Sequence, residues 1–332
     1  MNVLSLFDGI GCGRIALERA EIKVDKYYAS EIDKNAIKVA KYNYPDIIEI
    51  GDIRNINCKD LPNIDLIIGG SPCTNFSSSG KRNGMITKDK LILDSLDKYL
   101  KLKEENCEFD GYSYLFWEYV RILKEVKPKY FLLENVKMAK KWETIITETL
   151  GVDPIEINSS LVSAQNRVRL YWTNIPNITQ PKDKGIKLID ILETTEFTNV
   201  GAIRGRVLNK ATIIGRRLNE KGHRDDYNTN IPYTQCLEVR ETNINKSNCL
   251  TTVQKDNVLT PLGVGRHPNV YKDKLPYRYY TRLEYERLQT LPDGYTNCIS
   301  ESSAKKAIGN GWTVDVIAHI MKGLHNECIK FI

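Results

Sequence analysis

No stretch of this 332-residue chain approaches the roughly 18 consecutive apolar residues a membrane-spanning helix needs, so no membrane association is expected. The opening MNVLSLFDG has neither a basic segment nor a small-residue cleavage site, which argues against a secretory leader and for a cytoplasmic protein. Histidine is scarce, with four residues, and the eight cysteines include no C-x-x-C pair. His223, His267, His319 and His325 are not interleaved with the cysteines, so no metal site is expected. Disulfides are not expected in a reducing compartment, and most of the thiols should be small buried hydrophobes. Internal repeats are missing too. What remains is ordinary in composition, 41% hydrophobic and 27% charged, which excludes collagen-like, coiled-coil and wholly disordered chains. The net charge of +6 permits a nucleic-acid partner without requiring one.

Short apolar runs at 2–7, 26–31, 47–50, 65–69, 130–134 and 168–173 read as strands. The run DLIIG is apolar almost throughout, as a strand covered on both faces should be. Helical patterns at 33–43 and 112–126 alternate with these strands, which predicts a doubly wound parallel α/β sheet. Two regions depart from the rhythm. Residues 78–110 read as a loop followed by an insertion with an amphipathic helix at 88–103. Residues 174–276, rich in Asn, Thr, Gly and Arg, read as a second, smaller domain. Helical pattern resumes after Tyr279 and ends in a helix at 313–324.

Directly after the first strand comes D-G-I-G-C-G and then a helix, a glycine loop that lets backbone approach a ligand closely. Glu31 stands 20 positions after Gly11, at the end of the second strand, where a carboxylate can accept from ribose hydroxyls. Asp52 ends the third strand and can accept from an adenine amino group, with Ile53 against the ring. Two carboxylates beside the loop repel a pyrophosphate and suit a cation, which favours S-adenosylmethionine over a nicotinamide dinucleotide. A purely helix-capping role for both acids is the alternative.

Cys73, in G-G-S-P-C-T-N-F-S, follows the buried fourth strand at the sheet edge where ligands sit in open α/β folds. Glu134 ends the next strand in L-L-E-N-V, and Q-N-R-V-R supplies Arg167 and Arg169, two apart and so expected on one face of a strand. Thiol, carboxylic acid and guanidinium together suggest one reaction. Cytosine C5 is a poor nucleophile until a thiolate adds to C6. Glu134 can protonate N3 during that attack, and Arg169, with Arg167, can hold O2.

These blocks, in this order, resemble the cytosine-5 DNA methyltransferases. Further blocks extend the likeness: T-R-L-E-Y-E-R-L-Q-T-L-P at 281–292 and A-I-G-N-G-W before the last helix. The resemblance covers about 1–80, 111–173 and 278–325, and its S-P-C and G-N-G-W details stand closer to the de novo branch of vertebrates. It implies a Rossmann-like methyltransferase domain over 1–173 and 277–332, with a target-recognition domain over 174–276. It also implies Cys73 as nucleophile, Glu134 as its partner, and contacts to S-adenosylmethionine from Phe7, Asp8, Gly9, Ile10, Gly11, Glu31, Ile32, Asp52, Ile53, Asn310 and Trp312. Glu284, Arg287 and Gln289 read as scaffold.

The reader should meet double-stranded DNA. Residues 201–225 hold seven Lys/Arg against two acids, and Arg204, Arg206, Arg216 and Arg217, with Ser77 after the nucleophile, are the expected DNA contacts. Three functions compete at this point: a DNA cytosine-5 methyltransferase, a tRNA cytosine-5 methyltransferase and a catalytically silent DNA-binding regulator. The missing C-F-T motif argues against the second, and the intact Cys73, Glu134 and Arg169 against the third. A restriction endonuclease of the same system, in a bacterial or phage-infected cell, is the expected partner.

Overall fold

The computed structural model describes residues 1–76, 83–194, 196–197, 201–202, 208–221, 223–261, 270–271 and 276–325. The chain divides into two compact units, one of residues 1–158, 168–181 and 314–332, the other of 159–167 and 182–313.

The first unit is built on β1 (Asn2–Leu6), β2 (Lys26–Ser30), β3 (Ile48–Glu49), β4 (Leu66–Gly69), β5 (Tyr130–Val136), β6 (Ile155–Asn158) and β7 (Val168–Thr173). Their spatial order is β3-β2-β1-β4-β5-β7-β6. The first five are parallel, while β7 runs antiparallel to both neighbours. The expected parallel sheet is therefore mixed at one edge, because β7 returns between β5 and β6. Helices α1 (Cys12–Arg19), α2 (Lys34–Asn43), α3 (Leu96–Glu104), α4 (Phe116–Val126) and α5 (Lys140–Leu150) belong to this unit. All four residues of β4 are buried, which explains their continuous apolarity. α2 starts where Asp33 accepts from the N–H groups of Asn35 and Ala36, satisfying donors a helix start leaves open. A final helix, Val314–Met321, packs on α1, and Arg19 reaches Asp315 at 2.6 Å.

The insertion differs from expectation at its start. Its helix begins at Leu96, where the Ser95 hydroxyl accepts from Lys98 N–H, and the residues before it turn back at Lys88–Lys90 instead of continuing the helix. Ile86 bridges to Ile92 and Thr87 to Phe109, with Met85, Ile86, Thr87 and Leu93 buried. Charge spacing at 88–95 imitates an amphipathic helix, but only Leu93 there is buried, while Leu91 is exposed.

The second unit contains α6 (Leu188–Ile191), β8 (Glu196–Phe197), β9 (Gly201–Ala202), β10 (Leu208–Arg216), β11 (Thr234–Ile244), β12 (Val258–Pro261), β13 (Val270–Tyr271), β14 (Arg278–Tyr279), α7 (Arg282–Leu288) and α8 (Glu301–Asn310). An antiparallel sheet, β13-β11-β10-β12-β14, buries Ala211 and Ile213 against Leu237, Val239 and Val258. Alternate residues of β10 and β11 thus form one apolar face. The expected boundary at 276–277 is not the observed one, since 277–313 and 159–167 belong to this unit. Side-chain bonds to main chain explain the assignment. Gln165 donates to Leu288 O and to Gln289 Oε1, and Arg167 donates to Gly311 O.

Candidate active site

Parallel β1, β2, β4 and β5 end on one edge of the sheet, and each delivers one part of the site. After β1, Phe7 takes φ +59°, Gly9 +61° and Gly11 +79°. For glycine that conformation is free; for Phe7 it is strained by about 1 kcal/mol or more, a local cost typical of functional turns. The loop is held by its neighbour strand. Asp8 N–H donates to Ser30 O at 3.2 Å, and Gly9 N–H donates to Glu31 Oε2 at 2.8 Å. Glu31 Oε1 accepts from Ile32 and Asp33 N–H, so this carboxylate ties loop to strand, and Asp33, not Glu31, caps α2. Asp52 does cap a short 3-10 turn, accepting from Arg54 N–H at 2.9 Å. Arg54 also pairs with its carboxylate and holds it below the usual range.

Three carboxylates converge here. Burial pushes the Asp8 carboxyl up to about 6, with the charge of Glu31 adding to it. The Tyr27 hydroxyl donates to Asp8 Oδ1 at 2.6 Å, so this side chain is turned into the protein. Burial raises Glu49 to about 7, assisted by Asp8 and Glu31 and opposed by Lys41. Asp8 Oδ2 and both Glu49 oxygens are buried with no hydrogen-bond donor among the described residues. The three acids place a negative field behind the glycine loop, which favours a cationic ligand over an anionic one. Ile32 is 67% exposed and Ile53 only 5%. Ile32 offers an open apolar wall, whereas the Ile53 side chain and Ile10 lie in the core.

Cys73 sits four residues past β4 and is half-buried. Its carbonyl accepts from Phe76 N–H at 2.9 Å. Asn135 of β5 donates to the carbonyl and hydroxyl of Ser71, fastening the neighbouring strand to the turn that carries Cys73. On the other face of β5 lies Glu134. In the β5–β7 register Glu134 pairs with Tyr171 and Val136 with Arg169, so Glu134 and Arg169 are diagonal neighbours on one face. Arg169 Nε meets Glu134 Oε1 at 2.9 Å with both side chains mostly buried.

Arg167 is a correction. It precedes β7 instead of sharing its face with Arg169, and it is 4% exposed. Its guanidinium donates to Cys249 Sγ, Leu250 O and Gly311 O. Those bonds make it a clamp within the second unit, leaving Arg169 as the arginine beside Glu134. Asn310, exposed at the end of α8, and half-buried Trp312 also belong to the second unit. Arg216 pairs with Glu238 and Asp226, while Arg217 donates to Ile231 O and Asp226 O and stacks over Tyr233. Their guanidinium groups brace the turn between β10 and β11. Ser77, Arg204 and Arg206 lie outside the described residues. The expected burial of most thiols also fails: among the described cysteines only Cys12 and Cys236 are buried.

Sequence reasoning missed Asn135, Glu49 and the Glu118 network. Glu118, fully buried, accepts from Tyr99, Lys103 and Arg121. Arg121 continues to the carbonyls of Ile53 and Ile56, supporting the Asp52 turn. An acid three residues before an arginine inside the apolar FWEYVRIL was the available signal. Glu284, by contrast, is scaffold as expected: it is buried, pairs with Arg278 at 2.7 Å and completes the Thr281 capping box.

The fold is that of α/β methyltransferases, as its likeness to solved structures indicates. The Entamoeba histolytica methyltransferase EhMeth aligns with TM-score 0.63 and 16% identity over 99% of this chain and 98% of that one. A Spodoptera frugiperda DNMT2 mutant aligns with TM-score 0.59 and 20% identity over 98% and 99%. The chain belongs to the C-5 cytosine-specific DNA methylase family, whose pattern matches residues 1–326. It is 31% identical to the type II methyltransferase M1.ScrFI of Lactococcus lactis subsp. cremoris, over 95% of this chain and 76% of that protein. It is 29% identical to the orphan methyltransferase M.SPRI of Bacillus phage SPR, over 82% and 61%.

Proposed function

We propose that the protein methylates C5 of a cytosine flipped out of double-stranded DNA, through a covalent bond between Cys73 and C6. The observation that carries this reading is the Glu134–Arg169 pair at 2.9 Å on β5 and β7, the strand beside the one that delivers Cys73. S-adenosylmethionine, when bound, supplies the methyl group. The acid cluster of Asp8, Glu31 and Glu49 suits its positive charge, with Phe7 to Gly11, Ile32, Asp52, Asn310 and Trp312 as the further contacts.

The residues then act in sequence. The Cys73 thiolate adds to C6 while Glu134 gives a proton to N3, so that the electrons of the C5–C6 bond become available at C5. Arg169 keeps the Glu134 carboxyl oriented and stabilises charge developing at O2. After C5 has taken the methyl group, the C5 proton passes to water, the C5–C6 double bond re-forms and the C6–S bond breaks, Glu134 takes back the N3 proton, and the Cys73 thiolate is regenerated. Extruding the base costs a few kcal/mol, which contacts to the duplex must offset. Residues 174–276, of which 182–276 lie in the second unit, are the part we assign to reading that duplex, and a restriction endonuclease of the same system is the partner to look for.

The test presents duplex DNA and tRNA side by side with radiolabelled cofactor, followed by digestion to nucleosides. Label in 5-methylcytosine from DNA, abolished by Cys73→Ser, is the expected result. Label in tRNA alone, or undiminished label with Cys73→Ser, would overturn it.

A further inference from the structure

The insertion between the nucleophile turn and α4 has no evident part in the reaction just described. It is nevertheless folded against the turn that carries Cys73. Asn75, two residues on and 5% exposed, is bonded from three directions. Its N–H donates to Ser113 Oγ at 3.1 Å. Its side-chain amide donates to Asp110 O at 2.9 Å. Its carbonyl accepts from Gly84 N–H at 3.0 Å. A fourth, longer contact joins Tyr112 N–H to the Thr74 hydroxyl at 3.4 Å.

The seat for Asn75 is itself built. Gly111 has φ +65°, and a Cβ there would stand 2.7 Å from the Asn75 amide, so a side chain at 111 would be strained and would push the Asn75 amide from its seat. Asp110 N–H donates to Ile86 O, Lys88 N–H to Glu108 O and Leu93 N–H to Met85 O. These bonds join the two ends of the insertion into one platform, and the buried Met85, Leu93 and Ser113 anchor it.

We infer that Asn75 is a positioning residue for the nucleophile, and that the 83–113 platform exists to hold it. The inference rests on Cys73 being the nucleophile. A thiolate must meet C6 at bonding distance and along one direction, and a displacement of about 1 Å can cost on the order of a hundredfold in rate. The chain between Pro72 and Phe76 is a single turn closed by Phe76 N–H on the Cys73 carbonyl, with no helix or strand to fix that direction. Asn75 fixes it by hydrogen bonds on both sides of its own peptide unit and through its side chain.

The experiment compares Asn75→Ala, Asn75→Asp, Ser113→Ala and Ser113→Thr with the unaltered protein. It measures kcat, KM for duplex, affinity for S-adenosylhomocysteine by calorimetry, and the rate of adduct formation with a 5-fluorocytosine duplex. Asn75→Asp keeps the shape and loses the donor to Asp110 O. Both Asn75 variants should lose roughly ten- to a hundredfold in kcat and in adduct rate, with KM for duplex and calorimetric affinity within about twofold. Ser113→Ala should lose less and Ser113→Thr, which keeps the hydroxyl, should recover the rate. Ser113→Ala also serves if the Asn75 variants fold poorly. Wild-type adduct rates in Asn75→Asp and Ser113→Ala would overturn the positioning role while leaving the nucleophile intact. Absence of an adduct in the unaltered protein would overturn both.

Discussion

The sheet edge of the first unit and the polar interior of the second treat charge in opposite ways. At the edge, Asp8 and Glu49 keep oxygens that no described residue answers, and burial holds both carboxyls up, at about 6 and about 7. In the second unit, Arg278 is matched by Glu284, Arg216 by Glu238 and Asp226, and Arg167 by Leu250 O and Gly311 O. A buried polar group with no partner costs free energy that folding has no reason to keep. The paired charges of the second unit mark scaffold, while the acids of the first place a negative field behind the glycine loop.

Removing one partner should separate the two regions sharply. Arg278→Met leaves Glu284 charged, 0% exposed and short of its cation, which typically costs about 3–5 kcal/mol. Thermal unfolding should show that loss, with affinity for S-adenosylhomocysteine unchanged in the folded protein. An equal unfolding midpoint would mean that the second unit does not depend on its internal pairs. Glu134→Gln should do the reverse. Loss of a proton donor costs roughly a hundredfold or more in rate, so kcat should fall by that amount while duplex affinity and unfolding midpoint stay near those of the parent.

Asp8 offers a test by pH. Burial lifts its folded pKa to about 6, well above the ordinary carboxylate range. The protonated form is favoured in the fold, so its contribution is complete below about pH 4 and is lost as pH rises through 6. Asp8→Asn carries no such dependence. In the absence of ligand its stability relative to the parent should rise between pH 4 and 7, by up to about 3 kcal/mol. A pH-independent difference in denaturant midpoints would refute the burial argument. The smallest effect should come from Arg216→Gln with Arg217→Gln. Because both side chains brace the turn, duplex binding should weaken modestly with little change in the salt slope. A slope reduced by about one unit per residue would show phosphate contacts instead.

What could be read from the chain alone follows the range of the forces involved. β4 declared itself because a strand covered on both faces is apolar throughout. The loop after β1 was legible because its conformation demands glycine. Cys73 and Glu134 stood out because one follows and the other lies within a recognisable strand. Arg167 and Arg169 were misread as strand partners, since two-residue spacing cannot show that the strand begins between them. Asn75 gave no signal because Asp110 and Ser113, which give it meaning, lie 35 and 38 positions away. The unit boundary was missed for the same reason, as it rests on side-chain bonds from Gln165 and Arg167 to distant carbonyls.

The measurement that bears most directly on the account is peptide mapping of the covalent complex formed on a 5-fluorocytosine duplex in the presence of S-adenosylmethionine. Fluorine at C5 cannot leave as a proton does, so the enzyme should be caught with its nucleophile still attached to C6. The account predicts one modified peptide, the one containing Cys73, and none from Cys73→Ser. Modification at another cysteine, such as Cys249 beside Arg167, or no adduct from an enzyme that methylates DNA, would contradict it.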